Sequence, residues 1–182
     1  MSTPIELGRP VSGDVVELIL EDHRRFEHLL RQLRDSTSDR EAVRAAFSAL
    51  HVAHAEAEER FVYPTLRRKD AIDEHEAEHG EEEHAEGNEK LLKVLEISDT
   101  GAEEFDDAVE ELATAINHHL TEEELTILNP AREEVSEDVR AELGGKFAVE
   151  RNRQIDEDCG RVENVRRLVE KAGKEGLLDE EE

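Results

Sequence analysis

His54-Ala55-Glu56-Ala57-Glu58-Glu59, and later His119-Leu120-Thr121-Glu122-Glu123-Glu124, decide how this chain reads. Both are His-x-x-x-Glu-Glu steps in stretches with helical apolar spacing. Residues four apart lie one turn apart on the same helix face, so each step aims one imidazole and one carboxylate at the same place. Two such helices facing each other supply two nitrogen and two oxygen donors to a shared centre. At about 100° per residue, Val43, Phe47, Leu50, Phe61, His54 and Glu58 fall within about 40° of one line. His51 lies about 60° from His54, at the border of that face. Tyr63 lies on the opposite side if the helix stays straight up to Pro64. In the later helix Phe105, Val109, Leu112, Ile116, Leu120 and Ile127 form the stripe, with His119 and Glu123 inside it. His118 and Glu122 are also four apart but sit about 100° around, so phase selects the His119/Glu123 pair.

Working outward, the same arithmetic predicts four helices and a tail. The first runs from an N-cap at Asp14, after Ser12-Gly13, to about Arg34. Val16, Ile19, Phe26 and Leu30 share its inner face with His23, and His28 points away. Asp35 to Asp39 is a turn, with Ser38 or Asp39 capping the second helix, which runs to about Tyr63 before Pro64. The third helix is very polar from Asp70 to Lys90. Its stripe, Leu91 and Leu95 with Val94 less central, extends back onto His84, Gly80 and Ala77, whereas His75 and His79 are roughly 180° and 140° off it. The fourth runs from about Ala102 to Asn129, before Pro130. Beyond it, Leu143-Gly144-Gly145 reads as a helix stop or hinge. Phe147 to Lys171 reads as one more amphipathic helix with Val149, Ile155, Val162, Val165 and Leu168 as contacts, and Gly173 to Glu182 as an acidic tail without fixed structure.

Composition narrows the function classes. Of 182 residues, 40% are charged and 3% aromatic, with no Trp, one Cys and a net charge of −26. Alternating strand patterns are scarce, so the class is all-α, with enough chain for a real core. Phosphate binding needs clustered Lys and Arg, so no nucleic acid partner is expected, and no anionic membrane surface either. No apolar run approaches the roughly 18 residues of a membrane span. Met1 to Pro10 lacks the basic and apolar regions of a signal peptide, and the single Cys159 suits a reducing compartment, so the expected location is cytoplasmic. Cys159 reads as a passive thiol, since there is no second Cys to resolve an oxidised form. No Ser-His-Asp constellation or phosphate loop supports hydrolase or nucleotide chemistry.

The inward carboxylates demand an explanation, because an unpaired carboxylate in an apolar interior costs several kcal/mol. A divalent or trivalent cation removes that cost if the carboxylates are ionised and the imidazoles neutral. Imidazole mixed with carboxylate suits iron, manganese or zinc, and the lack of thiolate argues against a structural zinc site. One carboxylate from each of two helices also permits bridging between two metals, as in bundle di-metal sites.

These residues resemble the hemerythrin-like proteins of the HHE cation-binding family. The resemblance rests on Glu21-Asp22-His23 with Phe26 and Leu30, on His54 through Tyr63-Pro64, on Glu83-His84 with Leu91-Leu92, and on His119 through Pro130. It implies an antiparallel, up-down four-helix bundle over residues 14–131; outside the resemblance, residues 1–13 read as an N-terminal arm and 132–182 as a C-terminal helical extension and acidic tail. It also implies a non-haem di-iron centre with His23, His54, Glu58, His84, His119 and Glu123 as ligands, Glu58 and Glu123 bridging. The family's third helix carries His-x-x-x-His; here the earlier position is Gly80. Either His84 serves alone or the shifted pair His75/His79 replaces it. Candidates to complete the shell are solvent, Glu27, Glu81, His79, or Tyr63 if Pro64 distorts the second helix.

The expected function is a cytoplasmic di-iron protein that binds or consumes a small oxidant: dioxygen, hydrogen peroxide or nitric oxide. Catalase- or oxidase-like turnover and stress sensing both fall within it. The alternatives are iron storage or delivery, with the glutamate-rich start of the third helix as a route in, and a metal-free acidic interaction module. The helix beyond Gly145 either packs on its own bundle or offers a homodimer surface.

Overall fold

The computed structural model describes residues 5–179, and no strand occurs among the described residues. Four long helices carry the motifs: α1 (Val15–Arg34), α2 (Arg40–Ala57), α4 (Glu74–Glu96) and α5 (Glu103–Glu123), with α3 (Tyr63–Arg68) continuing α2 and α6 (Asn129–Glu134) continuing α5. They are followed by α7 (Glu137–Asp156) and α8 (Val162–Lys174). Local chemistry starts them where expected. Asp14 accepts from the Val16 N–H at 2.9 Å and Asp39 from the Ala42 N–H at 3.1 Å. Asp73 and Glu76 form a reciprocal capping box on α4. Each cap satisfies backbone donors that the first turn cannot, worth about 1 kcal/mol.

The apolar faces gather into two clusters. One holds Phe26, Leu30, Val43, Phe47, Leu50, Leu91, Val94, Phe105, Leu112 and Ile116. The other holds Val15, Ile19, Val62, Leu66, Ala77, Ile127, Leu128, Leu143 and Phe147. Residue numbers show α1 running from the second cluster to the first, α2 back, α4 forward again and α5 back. The predicted metal ligands sit between the clusters on all four helices, so a polar layer is sealed above and below by hydrocarbon.

Several details differ from the sequence reading. The second helix does not stop at Pro64. Residues Glu58–Val62 form a π-helical turn, closed by the Tyr63 N–H on the Glu58 carbonyl, and α3 follows with Pro64 in its first turn. Proline lacks the N–H that would continue the ladder, and its ring crowds the carbonyl four residues back. The wider turn accommodates one extra residue. Everything beyond it is rotated, so Tyr63 is buried and Phe61 only half-buried. Glu124–Leu128 repeats the device before Pro130, closed by the Asn129 N–H on the Glu124 carbonyl.

Gly144-Gly145 is not a stop. α7 passes straight through, because a Cβ at Gly144 would collide with the Gly13 carbonyl and the bare backbone lets the two segments touch. The predicted single helix from Phe147 to Lys171 is broken at residues 157–161, where Asp158 takes a positive φ of 55°. That turn seats Gly160 against the Ala49 backbone, with Ser48 Oγ donating to the Gly160 carbonyl at 2.6 Å. α7 turns Leu143, Gly144, Phe147, Ala148 and Arg151 inward, which leaves Val149 66% exposed. Cys159 is buried in the turn, donating to the Ala49 carbonyl at 3.3 Å, and burial pushes its thiol up to about 12. α7 packs against α1 and α2, and α8 against α4. The chain stays ordered past Gly173, the Leu177 N–H bonding the Ala172 carbonyl at 3.0 Å. Residues 180–182 of the expected tail lie outside the described residues.

Candidate metal centre

The two His-x-x-x-Glu steps and the single histidines of α1 and α4 converge. His23, His54, Glu58 and Glu123 form one group whose ligand atoms lie within 4.8 Å of one another, and Glu58, His84, His119 and Glu123 form a second. Both carboxylates belong to both groups, and all six residues are buried. His23 Nε2 lies 3.6 Å from Glu123 Oε1, His119 Nε2 3.0 Å from Glu123 Oε2, and His84 Nε2 3.9 Å from Glu58 Oε2. His54 Nε2 is in direct contact with Glu58 Oε1.

These contacts lack hydrogen-bond geometry. His23 Nε2, His54 Nε2, His119 Nε2, both Glu58 oxygens and Glu123 Oε1 are buried without a hydrogen-bond partner. Buried polar atoms are almost always satisfied, and an unsatisfied one costs about 1–3 kcal/mol. Six unsatisfied atoms aimed at one another fit a cation pair, and two carboxylates shared between two imidazole pairs fit a bridged di-metal site.

The opposite edge of each imidazole is held by a carboxylate that the sequence reading left without a role. Glu124 lies 2.9 Å from His23 Nδ1, Asp22 3.0 Å from His54 Nδ1, and Glu59 2.9 Å from His84 Nδ1. Glu83 lies 3.5 Å from His119 Nδ1, without hydrogen-bond geometry. Such a partner fixes the tautomer that leaves Nε2 free to ligate. The pattern has internal two-fold logic. The acid before the histidine on α1 and α4 serves the histidine of the next motif helix, and the acid after Glu58 or Glu123 serves the other helix pair. The sequence signal was the paired acids themselves: Asp22-His23 with Glu83-His84, and Glu58-Glu59 with Glu123-Glu124.

The two halves are not electrostatically equal. Burial would push the Asp22 carboxyl up. The His54 bond and the buried Arg151 guanidinium, donating from Nε and Nη2 at 2.8 Å each, outweigh it and hold Asp22 well below the usual carboxylate range. Arg151 also donates to the Leu7 and Gly8 carbonyls. It was invisible from sequence because α7 carries little pattern. Burial opposes charge on His54 and His119, but Glu58 with Asp22, and Glu123 with Glu83, push both up to about 10. Burial and then the His119 charge push His84 down to about 4. A cation bound here must displace the protons held by His54 and His119.

Tyr63 stands where the α4 histidine is missing. Its hydroxyl donates to Glu123 Oε2 at 3.0 Å and lies 3.4 Å from His84 Nε2, and its ring stacks on His84 with centroids 5.7 Å apart. A Cβ at Gly80 would come within 2.9 Å of that ring, so glycine and phenol share one space. The other candidates to complete the shell stay outside. Glu27 is exposed, Glu81 half-buried, and His79 46% exposed, facing Glu83 instead. His75 is exposed, so the shifted His75/His79 pair does not reach the centre. His51 is buried against Phe47 and Phe26, and burial lowers its pKa well below the usual value.

A protein from Nostoc sp. (strain PCC 7120) described as a DNA nickase is 27% identical over 137 residues, which covers 74% of this chain and 38% of that protein. The chain thus spans well under half of that relative's length. No solved structure matches the chain. Residues 14–130, more than half of the chain, match the hemerythrin HHE cation binding domain. Helical architecture, convergent buried His and Glu, and that match agree: the chain belongs to the hemerythrin HHE cation-binding family.

Proposed function

We propose that the chain is a non-haem di-iron protein that binds or reacts with a small oxidant, namely dioxygen, hydrogen peroxide or nitric oxide. The observation that carries this reading is the set of unpaired buried donors in two groups sharing Glu58 and Glu123. His23 and His54 would hold one iron, His84 and His119 the other, with both carboxylates bridging. An iron pair supplies Lewis acidity and redox capacity toward a small oxidant. The chain's own residues set the conditions. Two apolar clusters exclude bulk water, Asp22, Glu59 and Glu124 orient three of the imidazoles, and Tyr63 gives Glu123 a hydrogen bond. The helices carrying the centre are read as an antiparallel up-down bundle over residues 14–131, with α7 and α8 as its C-terminal extension.

With four protein donors per metal, each position keeps room for exogenous ligand. Consumption of peroxide or nitric oxide suits this shell better than reversible dioxygen carriage, for which the family uses a richer histidine set. Nicking of DNA, the activity in the Nostoc protein's description, is a poor fit for a chain with a net charge of −26. The test is consumption of hydrogen peroxide and of nitric oxide by iron-loaded protein, beside Glu123→Ala prepared identically. The expected result is consumption of at least one oxidant, lowered about tenfold or more in the variant. Equal rates in both proteins, or none in either, would remove the oxidant reading.

A further inference from the structure

The acids at the Nδ1 edges of the four imidazoles differ in what stands behind them. Arg151 Nε donates to Asp22 Oδ2 and its Nη2 to Oδ1 at 2.8 Å each, and Arg25 Nη1 donates to Oδ1 at 3.0 Å. Arg151 is 0% exposed, and its other acceptors, the Leu7 and Gly8 carbonyls and the Asn152 side-chain oxygen, are uncharged. Asp22 is therefore the one charged group it bonds among the described residues. Gly8 takes a positive φ of 70°, and a Cβ there would come within 2.6 Å of Arg25 Nη2, so the arm lies against both guanidinium groups. Glu124 behind His23, Glu59 behind His84 and Glu83 beside His119 bond no guanidinium or ammonium group among the described residues. α7 lies beyond residues 14–130, so the asymmetry reaches the hemerythrin-like part of the chain from outside it.

We propose that Arg151, supported by Arg25, is a positioning residue that makes the two metal positions unequal: by neutralising Asp22 it weakens electron donation from His54, so that the iron on the His23/His54 side is reduced first. This rests on the di-iron reading above. An ionised carboxylate bonded to Nδ1 raises the basicity of a ligating imidazole. A bidentate guanidinium draws on that negative charge and fixes the plane of the carboxylate. His54 then donates less than an imidazole backed by a bare carboxylate, and less negative surroundings favour the ferrous state. His84 and His119 keep acids whose charge no bonded cation offsets, which favours the ferric state on their side.

The test compares iron-loaded wild type with Arg151→Gln, Arg151→Lys and Arg25→Gln. Iron per chain is measured first. Each protein is then titrated anaerobically with dithionite and redox mediators, one electron entering per iron, and absorbance gives the two midpoints. Loss of the charge in Arg151→Gln should shift the first reduction about tenfold toward the oxidised form, about 59 mV for one electron. Arg25→Gln should shift it the same way by about threefold, because that side chain is 31% exposed and screened. Arg151→Lys keeps the charge and should stay within about twofold of wild type, with the second midpoint moving less than the first in every variant. An unmoved first midpoint in both glutamine variants would overturn the proposal. So would a larger shift of the second midpoint, or Arg151→Lys shifting as far as Arg151→Gln, which would leave Arg151 a packing role only. If Arg151→Gln does not hold its iron, Arg25→Gln decides by the same criterion. A wild type that holds no iron would sink the di-iron reading itself.

Discussion

Gly80 and Tyr63 occupy one space, and that makes a substitution at Gly80 change sign with its neighbour. Replacing a helix-interior glycine by alanine ordinarily stabilises by about 1 kcal/mol. Here the new Cβ would meet the Tyr63 ring at 2.9 Å, and overpacking a buried site costs about 1–3 kcal/mol. Gly80→Ala should therefore destabilise wild type, yet be neutral or stabilising when Tyr63 is also replaced by Leu. Chemical denaturation of the four members of that cycle checks it. Additive effects would mean that the ring and the glycine do not share the space. A His at position 80 would meet the same ring, so the family's usual donor cannot simply be restored while Tyr63 stays in place.

Helix phase was legible from sequence wherever the helices are regular. His23, His54, Glu58, His84, His119 and Glu123 lie in phase with the apolar stripes, the family resemblance implies them as ligands, and the structure brings all six together. Phase failed where one residue enters the turn, which is why Phe61 was placed inside and Tyr63 outside. Pro64 signalled a distortion, but a π turn and a helix end look alike in sequence. α7 was the least legible element, since its inner face carries Gly144, Ala148 and Arg151 rather than a stripe of large residues. Arg151 ties α7 to Asp22 on α1 and to the arm at Leu7 and Gly8. Arg151→Met would leave a buried carboxylate short of its main counter-charge, at a cost of about 3–5 kcal/mol. Adding Asp22→Asn should return part of that stability by removing the buried charge. Thermal unfolding of both variants decides it. A single variant within about 0.5 kcal/mol of wild type would show that the pair is not what anchors α7.

At the scale of the molecule, the charge and the centre answer to different rules. Of 49 Asp and Glu residues, most lie on the surface and set the net charge of −26. The six carboxylates that matter for the centre, Asp22, Glu58, Glu59, Glu83, Glu123 and Glu124, are distinguished by burial or by contact with an imidazole. Composition could not separate these sets; helix phase set Glu58 and Glu123 apart, and the three-dimensional pairing of Asp22 and Glu59 with His54 and His84, and of Glu83 and Glu124 with His119 and His23, identifies the rest. The packing of α7 and α8 was open in the sequence, and the structure lays both on helices that carry the centre, with no helix among the described residues long and apolar enough to cross a membrane.

The most direct measurement is iron per chain, by elemental analysis of protein made in iron-supplemented cells, beside Glu58→Ala/Glu123→Ala. The account predicts about two iron atoms in the wild type and fewer than about one in the variant, which loses both bridges. A well-folded wild type without iron, whose stability a chelator leaves unchanged, would contradict it.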